Sequence, residues 1–360
     1  MTLPSSRNPI SFSQIEAEFG GNSTNSFGGY RMGTPESYGG KTFDELDTGI
    51  PTSGTINYGS FSGKQVHVVV DCHSGSTENR VNARSKYDGN NIDNVGEGIL
   101  NSPKAVRKTD TSGSRLWIRV NKTIGSQTSD GTQTVCALRT GDWEAGTPVD
   151  IEMGGSAKIL GSGGAGGAGG VGSDGGGDAG SPGTSGNSAL GIDYYGTNVK
   201  IEDNAKLVGG YGGGGGGGAV GTDDGLSGEN AGGGGGGGGA GLPGGAGGNG
   251  GYGHEASGDN GGTGEEPFLS QEDSGAGGAG KDSGGDDEGG TESGAGGRGG
   301  DMEGVTAEDG EQRGESKAGG EGGVQGAAIR TESGVVFTWA DGTSNDPSKI
   351  FGVTNGSGVT

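Results

Sequence analysis

The sequence predicts a mainly β N-terminal and middle region, then a domain of packed glycine helices capped by short β-hairpins, with little α-helix. Three observations carry this expectation. Segments between residues 61 and 160 alternate apolar and polar residues, the period of a half-buried strand. Beyond residue 160 glycine recurs with a period of three. Two similar segments, VDIEMGGSAKILG and TNVKIEDNAKLVGG, bracket the glycine zone with AAIRTESGVVFTWADG and read as repeated strand hairpins.

Composition sets the limits. Of 360 residues 96 are glycine and only 26% are apolar, too few for one large conventional core. The formal net charge of -23, with its acids concentrated beyond residue 220, excludes nucleic acid or an anionic bilayer as main partner. The opening MTLPSSRNPISFSQIEAEFGG has no basic and apolar signal-peptide pattern, and no apolar run approaches the ~20 residues that span a bilayer. Cys72 and Cys136 are too few for a disulfide framework and read as reduced thiols of a protein assembled in a cytosol.

Residues 1–60 form a head. SQIEAEFGG predicts a short helix, with Ser11 or Ser13 as N-cap, Ile15 and Phe19 one turn apart and Gly20 as stop. Its few apolar residues imply that it rests on another protein. Residues 61–160 read as a small sandwich or mixed β-domain. Val66, Val68 and Val70 alternate in one strand and Leu116, Ile118 and Val120 in another, with TQTVCALRT and TPVDIEM as two more. His67, Cys72 and His73 suggest metal ligands, but adjacent strand residues face opposite ways and no second cluster completes a set.

Residues 161–360 form the glycine-rich domain. Ala165, Ala168 and Val171 stand three apart with glycine between them, as do Pro243, Ala246, Asn249 and Tyr252. The runs 212–218 and 232–239 are all glycine. Three residues per turn is the repeat of the polyproline-II helix. A flexible linker is the bland reading, since ordering glycine costs about 1–2 kcal/mol per residue. A linker has no use for period three, however, and bare backbones side by side can hydrogen-bond to one another. Packing is therefore expected.

Other motifs carry little. Glycine patterns of the dinucleotide type recur by chance, and GGKT at 39–42 lacks the earlier glycine, with Pro35 in its place. GGVGSDGGG at 169–177 approaches a calcium-binding β-roll repeat but is not in tandem. Acidic clusters such as Asp286, Asp287 and Glu288 suit loosely held calcium or magnesium, although a solvated acidic face is commoner. With three histidines and no nucleophile elbow, the sequence reads as no enzyme.

VCALRTGDWEAGTPVDIEMGGSAKILGSGGAGGAGG resembles the entry to the glycine-rich domains of tailed-bacteriophage fibre proteins, and GVQGAAIRTESGVVFTWADGTSNDPSKIFGV resembles their closing segment. LPSSRNPISFSQIEAEFGG is similar to the N-terminus of many phage tail proteins. The family suggested is that of the tip adhesins on T-even-type long tail fibres. The resemblance implies a polyglycine-II sandwich in a virion protein that binds a bacterial surface receptor, protein or glycan, through loops between the glycine helices. It implies attachment to other tail or fibre proteins through the 1–60 head, where Ile10, Phe12, Ile15 and Phe19 are the candidates. The receptor-facing candidates lie in 221–231, 253–274, 281–294 and 301–318: Asp223, Asp224, Tyr252, His254, Glu265, Glu266, Phe268, Asp286, Asp287, Arg298 and Glu308. These loops are acidic and poor in aromatics, unlike the family's. A purely structural tail or fibre adaptor is the alternative.

Overall fold

The period-two segments do form strands, and they pair in parallel with strands from elsewhere in the chain. The computed structural model describes residues 4, 8–19, 27, 37–38, 41–42, 51, 53–64, 68–72, 78–88, 116–126, 133–173, 176–202, 204–221, 231–253, 258, 293–300, 306–313, 316–340, 346–354, 356 and 357. Helix among these is scarce: α1 (Phe12–Phe19), α2 (Ala83–Asp88) and a 3-10 turn, Tyr58–Phe61. In the head, β1 (Ser37–Tyr38) pairs with β2 (Lys41–Thr42). Then follow β3 (Val68–Cys72), β4 (Glu78–Asn79), β5 (Val81–Asn82), β6 (Leu116–Val120), β7 (Thr123–Gly125), β8 (Cys136–Arg139), β9 (Val149–Met153) and β10 (Lys158–Leu160). After the first glycine stretch, which holds β11 (Gly172–Ser173) and β12 (Gly176–Gly177), come β13 (Ser188–Ile192), β14 (Thr197–Ile201) and β15 (Lys206–Val208). The second glycine stretch is followed by β16 (Ile329–Thr331), β17 (Phe337–Trp339), β18 (Ile350–Phe351) and β19 (Gly356–Ser357).

The pairing defines a three-sided parallel β-solenoid. One sheet runs β3-β6-β9-β14-β17, the second β4-β7-β10-β15-β18 and the third β5-β8-β13-β16-β19. The chain visits the three sheets in turn and returns to the first, completing five coils. Each coil buries its inward residues on the coil before, so apolar side chains stack in rows. Ile118, Ile151 and Val199 share one row, and Val120, Met153 and Ile201 the next; all are buried. Phe337 and Trp339, edge to face at 5.2 Å, pack on the core from the last coil.

Two sequence expectations change here. VDIEM and KIL do not fold back on each other as a hairpin. β9 pairs with β14 and β10 with β15, because a solenoid satisfies a strand through the next coil. Lys158 and Lys206 are in register, as the repeated sequence suggests. Ile151, however, faces Val199 rather than Ile201, because the turns 154–157 and 202–205 are equal in length and one register runs through both strand pairs. The expected boundary at residue 160 also falls inside the solenoid, whose sheets join strands from both sides of it.

The outer face of the first sheet is polar and ordered. Register places Arg119, Glu152 and Lys200 in one row of alternating sign across three strands. In the neighbouring row the Trp117 indole N–H donates to Asp150 Oδ2 at 3.3 Å, and Asn198 Nδ2 donates to Asp150 Oδ1 at 2.8 Å. Such cross-strand pairs pin the register.

Both glycine stretches leave the solenoid at the same corner, between its second and third sheets: 161–187 after β10 and 209–328 after β15. The exit is cemented by Leu160, Val208, Tyr211 and Ala240, with Leu242 and Phe351 against them. Beyond it, straight segments run out and back without strand geometry.

Segment 209–220 is the axis of this pack. Its amides donate in a rotation of three: Gly213 to Thr184, Gly214 to Gly237, Gly215 to Glu308, Gly216 to Ser181, Gly217 to Gly234 and Gly218 to Glu311. Its carbonyls accept in the same rotation, for example Tyr211 from Gly164, Gly212 from Gly300 and Gly213 from Gly323. The neighbours are therefore 161–171, 178–187, 231–241, 293–300, 306–313 and 316–326, and each bonds to the next around the ring. Six neighbours bonded in a rotation of three leave no side free, which is why 212–218 is all glycine. Segments on the outside keep one open face. In 163–171 and 243–252 the packed positions are glycine, while Ala168 and Val171, and Pro243, Ala246, Asn249 and Tyr252, point to solvent.

The head has its own small core. Ser11 Oγ accepts from the Gln14 amide at 3.2 Å and Gln14 Oε1 accepts from the Ser11 amide at 2.8 Å, a reciprocal cap on α1. Ile15 is buried against Phe61, with Ile10, Phe12, Phe27 and Ile56 around them.

Candidate functional site

The segments place all their long connections at two ends. At the solenoid end, Ala240 to Pro243 turns with the Leu242 carbonyl held by the Ser126 amide at 2.8 Å. At the far end, β11 and β12 form a tight hairpin closing the first stretch, with Gly172 opposite Gly177. Val220 and Ala231 pair there, so residues 221–231 start and finish at the far end. Chain 253–293 does the same, since Gly251 donates to Gly233 and Ser293 Oγ donates to the Gly232 carbonyl at 2.8 Å. The turn at Arg313 to Ser316 completes the set. The described ends of four connections thus lie together at the end of the bundle away from the solenoid.

The receptor-facing candidates divide against this frame. Tyr252 stands at the far end with its side chain 66% exposed. Arg298 and Glu308 do not: they lie midway along the flank, level with Gly215, bonded backbone to backbone. Glu308 Oε2 there accepts from the Arg298 amide at 3.1 Å. The segment 301–318 was expected to be one far loop, but its described parts, 306–313 and 316–318, belong to the packed bundle. Asp223, Asp224, His254, Glu265, Glu266, Phe268, Asp286 and Asp287 lie outside the described residues.

The attachment candidates are also redistributed. Ile15 is wholly buried, and Ile10 and Phe12 pack against its cluster, so these residues hold the head together. Phe19 ends α1. Among the described residues of this region the exposed aromatic is Tyr58, which sequence reasoning passed over.

Of the suspected metal ligands, Cys72 faces the solenoid core, buried, while His67 and His73 lie outside the described residues. Among the described residues no group of three or more His, Cys, Asp or Glu stands close enough to hold a metal ion. No described helix is long and apolar enough to cross a membrane.

No family model matches this chain, and no curated protein matches it. A solved structure does. It is the crystal structure of the gp37-gp38 adhesin tip complex of the bacteriophage S16 long tail fiber, at 19% identity and a TM-score of 0.37, covering 96% of this chain and 98% of that one. At that score the likeness decides neither fold nor function, and the site rests on its own geometry.

That geometry holds side chains firmly at the corners of the solenoid. Asp193, in the turn after β13, accepts from Arg139 Nη2 at 2.6 Å and from the Gly141 amide at 2.9 Å. Burial works to lower the Arg139 pKa, but the bond and charge of Asp193 outweigh it and raise the pKa. Sequence analysis also passed over the turn aromatics Trp143, Tyr194 and Tyr195, which the fold brings together from coils about 50 residues apart.

Proposed function

We propose that this chain is a tail-fibre or tail-tip protein of a tailed bacteriophage that binds the host surface, and that its glycine segments are polyglycine-II helices. The observation that carries this reading is that the described ends of the connections 173–176, 221–231, 253–293 and 313–316 meet at the free end of a hydrogen-bonded bundle. At about 3.1 Å per residue, a polyproline-II-type helix from 209 to 220 covers roughly 34 Å. The bundle would then hold its tip well clear of the solenoid. Rigid segments with variable connections are how a binding surface is presented at low entropic cost. The sequence resemblance to phage fibre proteins supplies the biological setting.

In this reading the head docks on other tail or fibre proteins through its exposed surface, Tyr58 included, while Ile15 and Phe61 keep it folded. The protein acts by binding, without catalysis. The acids between the glycine segments face the receptor, with calcium or magnesium bridging where the receptor is anionic. The second reading is an adaptor that joins tail parts and touches no receptor.

Adsorption separates the two. Purified protein should bind host cells and block phage adsorption, and antibody against it should decorate fibre ends in virions. A protein that binds no cells and lies away from fibre ends is an adaptor, and the adhesin reading is then lost.

A further inference from the structure

A second surface lies at a different corner of the solenoid from the glycine bundle. Residues 140–148 link β8 to β9, and the shorter 193–196 link β13 to β14 one coil later. The step between these unequal turns forms a groove of about 530 Å³ lined by Trp143, Gly146, Pro148, Tyr194, Tyr195 and Gly196. Its volume falls within the range of small-ligand sites. Gly146 and Gly196 take positive φ, 85° and 78°, and a Cβ on either would meet nothing within 4 Å.

The walls define the chemistry of an occupant. None of the described residues that line the groove is an acid or a base, so a charged ligand would lose hydration without a counter-charge there. The Trp143 indole N–H already donates to the Thr140 carbonyl at 2.8 Å. The Tyr194 hydroxyl donates to the Glu144 carbonyl at 2.7 Å and accepts from the Thr147 amide at 3.3 Å. These bonds lock the rings and use the polar handles by which an aromatic groove would hold the carbonyls of an extended peptide. Ring faces remain, above all Tyr195, which is 69% exposed. Arg84 grips Glu144 at 3.0 Å and stands 5.1 Å from the Trp143 ring centre, which helps to hold the indole in place. An uncharged sugar ring fits this arrangement, with its C–H face on the exposed Tyr195 ring and its hydroxyls toward water.

We propose that this groove binds one or two rings of a neutral glycan, independently of the far-end surface and of whether the protein is a phage fibre component. The test is saturation-transfer NMR on the full chain with glucose, galactose and N-acetylglucosamine and their β-linked dimers. Saturation should reach the C–H protons of at least one sugar. Tyr195→Ala should weaken that signal by about tenfold with unchanged melting, while Tyr195→Phe retains it. Absence of transfer from every sugar overturns the proposal, as does a signal that Tyr195→Ala leaves intact. Binding of a proline-rich peptide at Tyr195 in place of any sugar overturns it equally.

Discussion

A Cβ on Gly215 would lie closer than 3.0 Å to the carbonyl oxygen of Gly320, on the segment that returns beside it. The Gly215 amide meanwhile donates to the Glu308 carbonyl at 2.9 Å, so residue 215 touches two neighbours at backbone distance. The same holds along the axis segment, where Gly214 would strike Gly297 and Gly216 would strike Ala168.

Gly215→Ala should therefore be among the most damaging alanine substitutions in the chain. Each threatened hydrogen bond is worth about 0.5–1.5 kcal/mol, and parting the backbones threatens several, so a loss of about 3 kcal/mol or more is expected. Ala246→Val, on an open face, should stay within about 0.5 kcal/mol. Chemical denaturation of both variants checks this. A silent Gly215→Ala would mean that the bundle does not pack.

Hydrogen exchange distinguishes a packed bundle from a tether without any mutation. The amides of 213–220 all donate to neighbouring segments, so they should exchange as slowly as those of the solenoid core. Exchange of these glycines within seconds at neutral pH would contradict the bonding.

The Asp193 carboxylate ties Arg139 to the Gly141 amide at a corner with little water access. Asp193→Ala should cost about 2–4 kcal/mol, because it strands a half-buried guanidinium and an amide. Glu311→Gln, which removes the exposed partner of Arg313, should cost less than 0.5 kcal/mol. Thermal melting of the pair gives the comparison.

Burial pushes the Cys136 thiol up from 9.0 to about 12, with Arg330 opposing the shift. The folded thiol stays protonated where the unfolded one ionises, so raising the pH from 9 toward 12 favours unfolding, and the stability held below pH 9 is lost. The fall in melting temperature over that range should be shallower in Cys136→Ala than in the parent. Ellman's reagent at pH 8 should leave Cys136 unmodified until the fold is opened.

Much of this protein was legible locally. Ser11 or Ser13 announces the cap of α1, which the structure gives to Ser11 paired with Gln14, the alternation in Val149 to Met153 announces a strand, and the period of three in Ala165, Ala168 and Val171 announces a packed glycine segment with one open face. Glycine pattern even encodes burial: two glycines in three mark a segment with an open face, and an unbroken run such as 212–218 marks one surrounded. These are properties of single segments, and short-range sterics determine them. What no segment carries is its partner. An alternating strand is equally content in a hairpin or in the next coil, so the parallel pairing of β9 with β14, and a solenoid closed across a 120-residue excursion, were decided by stacking of distant apolar rows. The same physics put Ile15 inside the head, Arg298 and Glu308 on the flank, and Trp143 beside Tyr194. Glycine backbones have no side chains to choose a neighbour, so the order of the ring around 209–220 follows from where the solenoid releases and recovers the chain.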